Sequence, residues 1–538
     1  MTALQRWIDD KFSQVELWLK DMHGYQDTGS DFMWDNPASA LFIDTGLGKT
    51  GTALHLIYRL RMAGDTDPVL VIGPIRVVEV TWPDEIAKWS FSSFLTYEVI
   101  KDDDLVSGVN KAGQAARRQA KLNGCSKDLT EAMVKEARRN EAKRLVMALM
   151  VDRPADIYSI NREAIEFLVD AFGKHWPFKT VIIDESSCLK DHTTKRWKAM
   201  WKVRLLIKRM HQLTATPTTE GYIHLFAQIT LLDGGKRFGK SFRKWADKFF
   251  THNQYTRKYT LREGAEKDIM ELISDICMVM RDDSPKPDFI IHPVKINDQQ
   301  MALYRSMERG FIVELPDGTE VEAESAAALN QKLSQMASGV LYEEILEEVG
   351  EDEFQARRVV HHIHDGKIEA LKQLQEELNG ESMLVAYYHQ ASLDRLLAAF
   401  PEAKVMDKKG KLIKEWNAGK IPILLLHPQS GAHGLNLQKG GRHCVFFDLI
   451  WSEELHYQFW RRLARQGQEW LVMVHYLIVK GTIDDLYLEC LQNKRDLQET
   501  FFKLLNRIRA RLRRAMKKRE ELAQISIFNS RLPEDDEL

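Results

Sequence analysis

LFIDTGLGKTGTALHLI, residues 41–57, joins an apolar run to a run with helical spacing through a turn that carries Gly46, Gly48, Lys49 and Thr50. The first run reads as a short buried strand and the second as a helix closed by Gly64. Glycines let the backbone curl until successive amides point inward at a helix N-terminus, a geometry suited to phosphate oxygens. Lys49 would neutralise the β- and γ-phosphates of a nucleotide, and the Thr50 hydroxyl would ligate magnesium. The strict pattern G-x-x-x-x-G-K-[ST] asks for glycine at position 43, where isoleucine stands. A plain glycine-rich turn with a surface lysine is the rival reading.

A phosphate cradle hydrolyses nothing without an acidic partner, and FKTVIIDESSCLKD (178–191) supplies one. Asp184 and Glu185 emerge from the apolar strand Val181-Ile182-Ile183. Asp184 is placed to hold Mg²⁺ through water, and Glu185 to orient and deprotonate an attacking water. HQLTATP (211–217) then ends a strand in a turn of small hydroxyl residues, Thr214 and Thr216, suited to hydrogen-bonding the acidic pair. With the strands read at PVLVIGPI and ADIYSIN, the order describes a parallel sheet wound with helices, its chemistry at the strand carboxyl ends.

The length of 538 residues predicts more than one domain. Hydrophobic residues at 44% and charged residues at 29% are ordinary for a folded soluble chain, and a net charge of −2 advertises no polyanion partner globally. Any nucleic-acid surface must come from local segregation of charge. Five cysteines without C-x-x-C spacing argue against a zinc knuckle or disulfide framework. With neither a signal-peptide core nor a membrane-spanning run, the chain reads as cytoplasmic.

A similar alternation restarts near residue 366: strand ESMLVAYYH, helix QASLDRLLAAF, helix KLIKEWNAG, strand IPILLLHP, a glycine-rich loop and another strand at 445–447. LHYQFWRRLARQGQ follows. On a helix, Gln458, Arg462 and Arg465 fall at i, i+4 and i+7 and share one face. A planar guanidinium delivered from a separate domain can stabilise transition-state charge on phosphate, although an ordinary basic amphipathic helix has the same spacing.

The ordered set GLGKT (46–50), DESSCLKD (184–191), LTATP (213–217), GLNLQ (434–438) and QFWRRLARQGQ (458–468) resembles the Swi/Snf-related branch of helicase superfamily two. LLLHPQSGAHGLNLQKGG with KGTIDD is similar to its bacteriophage-encoded DEAD/DEAH-type members. The likeness runs in order from Tyr25 to about residue 495. It implies an α/β chain of two RecA-like lobes, with parallel sheets wound by helices, plus helical insertions and a helical C-terminal tail. It also implies ATP and Mg²⁺ as cofactors, and nucleic acid, double-stranded DNA foremost, as partner. By the same resemblance Gln26 reads adenine, Thr214 and Thr216 form the coupling turn, and Gly434 and Asn436 contact ATP and strand. Arg462 and Arg465 meet the γ-phosphate, Arg465 as the finger, with Gln458 their neighbour. Two departures stand out: Ser187 where many relatives have histidine, and Ile43 at the head of the phosphate loop.

The expected domains are 1–234, a first lobe with a basic helical insertion at about 101–150; 235–365, a mostly helical joining or brace region; 366–495, the second lobe; and 496–538, a basic helical tail with an acidic end. AAALNQKLSQMASGVLYEEILEEV reads as packing helices, FIVELPDGTEVEAES as a hairpin around Asp317-Gly318, and VVHHIHDGK as a loop or polar strand. Insertion and tail offer basic faces for sequence-blind phosphate binding, with a solvated helix face or protein-docking arm as the rival reading, and the tail could dock replication or recombination proteins. The function expected is an ATP-driven DNA motor in phage replication or recombination. Its rivals are a strand-separating helicase on forks or RNA and a nucleotide-gated clamp without productive turnover.

Overall fold

The computed structural model describes residues 22–494, apart from 101, 219–220, 256, 282–285, 351–352, 408–410, 432–434 and 466. The chain divides after Arg281 into two compact units.

The first unit is built on β1 (Ala38–Ile43), β2 (Val69–Gly73), β3 (Tyr97–Val99), β4 (Ile157–Asn161), β5 (Thr180–Asp184) and β6 (Arg209–Thr214). After a small antiparallel hairpin, β7 (Phe250–His252) with β8 (Tyr259–Leu261), the strand β9 (Cys277–Met280) completes the sheet. The order is β3-β4-β2-β5-β6-β1-β9, with every pairing parallel. Both faces are covered, which explains the continuous apolar strands. Phe42, Leu70, Ile72 and Val181 enter one core, whereas Leu41, Ile43, Val69, Val71 and Ile182 enter the other. The expected basic insertion is an antiparallel pair of long helices, Asp102–Leu122 and Lys127–Asp152.

The second unit carries β10 (Asp288–Val294), the hairpin of β11 (Ile312–Glu314) with β12 (Glu320–Glu322), and the longer hairpin of β13 (Val340–Gly350) with β14 (Glu353–His362). Then follow β15 (Met383–Ala386), β16 (Lys404–Val405), β17 (Ile423–Leu426), β18 (His443–Phe446) and β19 (Met473–Val479). Its sheet, β10-β19-β18-β15-β17-β16, is also wholly parallel. Fully buried Lys367 pairs with Asp484 at 2.9 Å beneath it.

The separate brace at 235–365 is corrected. Residues up to Arg281 belong to the first unit, because β9 pairs with β1 and Trp245, Ile269, Ile273 and Cys277 fill its core. Beyond the break, β10 pairs with β19. Nor is the region mostly helical. The helix Ala326–Ala337 stops at Gly339, whose φ is +90° and whose missing Cβ would stand 2.1 Å from the His364 carbonyl oxygen. The glutamate-rich run after it is the strand β13. The hairpin around Asp317 is found, and His361 and His362 lie on β14, His361 Nε2 at 2.8 Å from Glu343 Oε2. The tail lies outside the described residues. Among those described, no helix is long and apolar enough to cross a membrane.

Each sheet buries a histidine. His211 on β6 hydrogen-bonds Ser39 at 2.8 Å, and burial, aided by Arg209 and Arg204, lowers its pKa to about 3. His475 on β19 is also lowered to about 3, by burial and by the neighbouring His443 and His292. Both are neutral when folded and gain a proton on unfolding below about pH 6.5. Stability is therefore complete above that pH and falls as pH drops, by up to about 1.4 kcal/mol per pH unit for each histidine. Urea midpoints measured between about pH 7 and pH 5 should decline, and His211→Gln should flatten the first unit's dependence.

Candidate active site

The three sequence motifs meet because β5, β6 and β1 are adjacent parallel strands, so their carboxyl ends open on one edge. Ile43, which breaks the strict phosphate-loop pattern, is the last residue of β1 and points into the core, so the pattern fails within the strand rather than in the turn. Beyond it Gly46 and Gly48 adopt φ of +99° and +72°, and the helix Lys49–Met62 begins directly after Gly48. Lys49 and Thr50 thus occupy a first helical turn whose amides lack intrahelical partners and attract anions.

Gln26 is pinned against this turn. It lies in the helix Gly24–Asp35, and its Oε1 accepts the His23 N–H at 3.0 Å. Its Nε2 would stand only 2.1 Å from a Cβ placed on Gly48. The left-handed backbone and this close approach both require glycine there.

Asp184 closes β5, and Glu185 follows in the left-handed region at φ +57°, which turns the two carboxylates away from a simple strand alternation. Lys49 Nζ lies 3.4 Å from Glu185 Oε1, with both side chains largely buried. The Trp82 indole N–H donates to Asp184 Oδ2 at 3.1 Å. Burial first, and then the Glu185 charge, raise the Asp184 carboxyl to about 6 against the opposing pull of Lys49 and the Trp82 hydrogen bond.

The hydroxyl turn leaves β6 with Thr214 Oγ1 accepting the Thr216 N–H at 3.1 Å. Gln228 braces the turn by donating to the Pro217 carbonyl at 2.9 Å, while Gln212 donates to the Gln228 carbonyl at 3.0 Å. Thr216 Oγ1 is buried with no hydrogen-bond partner among the described residues, as are Thr45 Oγ1 and Thr218 Oγ1. Buried hydroxyls left in this condition suit a site that receives a polar ligand. Ser187 is buried in the 3₁₀ turn Ser186–Leu189.

Sequence reading missed Trp82, Gln228 and Arg281, the last 3.2 Å from Asp44 at the head of the phosphate turn. The run VVEVTWPDEIAKW offered one signal, a tryptophan just before the proline of a helical first turn. Arg281 is 237 positions from its partner in the chain, and local pattern carries no trace of that pairing.

In the second unit Asn436 and Arg465 are brought together. Arg465 Nη1 donates to Asn436 Oδ1 at 2.6 Å and to the Leu435 carbonyl at 3.0 Å. Gly434 lies outside the described residues. The shared helical face for Gln458, Arg462 and Arg465 is corrected, since the helix Glu453–Trp460 ends before either arginine. The chain tightens into turns there, with the Arg462 N–H on the Phe459 carbonyl and the Arg465 N–H on the Leu463 carbonyl. Arg461 Nη1 caps the Ala464 carbonyl at 2.9 Å, and Gln468 Nε2 ties these turns to the carbonyls of Gln438 and Gly441. Gln458 and Arg462 are buried, the latter only 2% exposed, whereas Arg465 is partly exposed.

Gly48→Ala should cost about 1–2 kcal/mol in backbone strain alone and displace Gln26 as well. Nucleotide affinity, read by titration with a fluorescent ATP analogue, should weaken at least about tenfold. Adding Gln26→Ala should return part of the stability in a double-mutant cycle, because the collision is then removed while the strain remains.

A family model described as SNF2-related domain matches residues 25–340, a span that holds the phosphate turn, the acidic pair and the hydroxyl turn. A protein of Acyrthosiphon pisum secondary endosymbiont phage 1, p41, is 30% identical over 90% of this chain and 98% of its own length. The CHD3-type chromatin-remodeling factor PICKLE of Arabidopsis thaliana is 23% identical over 91% of this chain and 35% of its own. The DNA repair and recombination protein RAD54-like of Danio rerio is 21% identical over 89% and 66%. The chain thus spans nearly all of the phage relative and about a third of the plant one. With all three motifs inside the matched span, the chain belongs to the SNF2-related family of superfamily-two ATPases.

Proposed function

We propose that the protein is an ATP-driven motor that moves on, or remodels, duplex DNA. The observation that carries this reading is the adjacency of β5, β6 and β1, which sets Lys49 3.4 Å from Glu185 and the hydroxyl turn between them. Membership of the SNF2-related family and the names of the chromatin-remodeling and DNA-repair relatives support DNA as the track. A role in phage DNA replication or recombination belongs to the same reading, and the phage relative supports its phage setting alone.

The residues fit a nucleotide with its divalent cation. Gly46, Gly48 and the first helical turn cradle phosphates, and Lys49 neutralises them. Gln26, held at the turn, reads the adenine edge. Thr50 and Asp184 would hold Mg²⁺, which supplies charge neutralisation at the β- and γ-phosphates. Glu185 orients a water and accepts its proton as the new oxygen–phosphorus bond forms and the bond to ADP breaks. Lys49, 3.4 Å from Glu185 Oε1, helps to aim that carboxylate. Thr214 and Thr216 relay the state of the γ-phosphate into the sheet. From the second unit Arg465 is the transition-state arginine, held by Asn436, with Arg462 and Gln458 buried in support and Gly434 a loop contact. Motor contacts of this kind go to the nucleic-acid backbone, so binding should be sequence-blind and salt-dependent.

A strand-separating wedge would be expected to carry apolar or basic residues at its tip. The β11–β12 hairpin turns at Asp317-Gly318, and its strands expose Glu314, Glu320 and Glu322 beside Ile312; the acidic charge repels phosphates and supports translocation over unwinding.

ATP turnover should rise on addition of double-stranded DNA more than with single-stranded DNA or RNA. Arg465→Ala should lower the stimulated rate by about 10³-fold, in line with the worth of arginine fingers elsewhere. Lys49→Ala should abolish it. Stimulation by single strands alone would favour a helicase, and turnover indifferent to every polymer would leave a nucleotide-gated clamp.

A further inference from the structure

Within the first unit, a groove of about 990 Å³ separates the helical insertion from the lobe that bears it. Val134, Ala142, Phe167 and Leu206 give it an apolar floor. Arg117, Lys135, Arg138, Arg139, Lys174 and Lys202 rim it, six cations against the two anions Glu131 and Asp170. Lys202 lies 3.6 Å from Asp170. Among the described residues no carboxylate stands within ion-pair distance of the other five cations.

Two glycines make room for this arrangement. A Cβ on Gly113 would stand 2.5 Å from Arg138 Nε, so that guanidinium lies across the facing helix. A Cβ on Gly173 would stand 3.2 Å from Arg139 Nη2, which rests against the lobe in the same way. At the mouth Leu205 is 84% exposed, a large apolar side chain with nothing covering it. A chain whose net charge is −2 has concentrated positive charge around an apolar slot.

An occupant has to answer both features. A nucleic-acid backbone would satisfy the rim but leave the floor unmatched, since the floor offers one aromatic ring for stacking. A peptide with carboxylates on one side and aliphatic or aromatic side chains on the other satisfies both, its apolar face buried and its acidic face steered by the rim. We propose that this groove docks an acidic amphipathic segment of a partner protein, recruiting the motor through a surface distinct from its nucleotide site.

The test uses the full chain and a fluorescein-labelled helical peptide bearing Leu and Phe on one face and Glu and Asp on the other, read by anisotropy. Binding should weaken at least about tenfold in Arg138→Glu combined with Arg139→Glu, and several-fold in Leu205→Ser. A peptide with lysine in place of its acids should not bind. None of these residues belongs to the nucleotide site, so basal ATP turnover at the wild-type level certifies that the variants fold. Equal peptide affinity in wild type and both variants would overturn the proposal. So would displacement of the peptide by duplex DNA whose own affinity falls in the charge-reversed variant, since the groove would then serve phosphate backbones. Binding seen only after residues 533–538 are removed would assign the groove to the acidic end of the same chain, and would equally overturn a separate partner.

Discussion

Two carboxylates adjacent in the chain at the end of a buried strand repel each other and lose their hydration, so they coexist as anions only where positive charge and hydrogen-bond donors are built against them. Asp184 and Glu185 are in that position. Lys49 stands 3.4 Å from Glu185, and the Trp82 indole N–H donates to Asp184. Even so, burial and the Glu185 charge push the Asp184 carboxyl up to about 6. Burial is the larger part of that shift and the Glu185 charge the smaller, so the pair depends on the donors and cation placed against it.

That electrostatic requirement dictates topology. Lys49 follows β1 and the acids follow β5, with β6 as the single strand between them. All three are parallel, so their ends fall on one edge, and the register pairs Asp184 with Leu213 and Phe42 with Thr214. The hydroxyl turn must then emerge between lysine and acids. A slip of one residue would move each strand's apolar set to the opposite core and carry the catalytic ends with it. The two-sided packing of Leu41 and Phe42, or of Val181 and Ile182, therefore fixes chemistry as well as stability.

Local sequence carried the parts of this arrangement that local physics decides. Gly48 and Lys49 between a strand and a helix, and two acids ending an apolar run, are short-range patterns with few alternatives, and the strands around them followed from composition. What escaped was tertiary. Trp82 reads as one more apolar residue until its indole meets Asp184, and the pairing of Arg281 with Asp44 exists only because β9 joins the sheet beside β1. Two errors share another cause. The helix Glu453–Trp460 stops where Arg461 folds onto the Ala464 carbonyl, and the helix Ala326–Ala337 stops at left-handed Gly339. In each case side chains with good helix propensity follow, and contacts distant in sequence override them, Arg465 on Asn436 in the one and Gly339 against the His364 carbonyl in the other.

The early end of that first helix gives Arg465 its character. On a continued helix it would share a face with Gln458 and Arg462, which are buried. The turns carry it toward the glycine-rich loop instead, where Asn436 Oδ1 and the Leu435 carbonyl fix one edge of its guanidinium. An arginine side chain has about 2 kcal/mol of rotamer entropy to lose when it is immobilised. Much of that cost is met within the second unit itself, so the arginine's orientation belongs to the loop as much as to its own turn. The loop is itself held, with the Trp416 indole on the Leu437 carbonyl, Asn417 on the Asn436 carbonyl and Gln468 on the Gln438 carbonyl. Asn436 is therefore a positioning residue for Arg465, which explains why two motifs about thirty residues apart in sequence behave as one piece of the second unit.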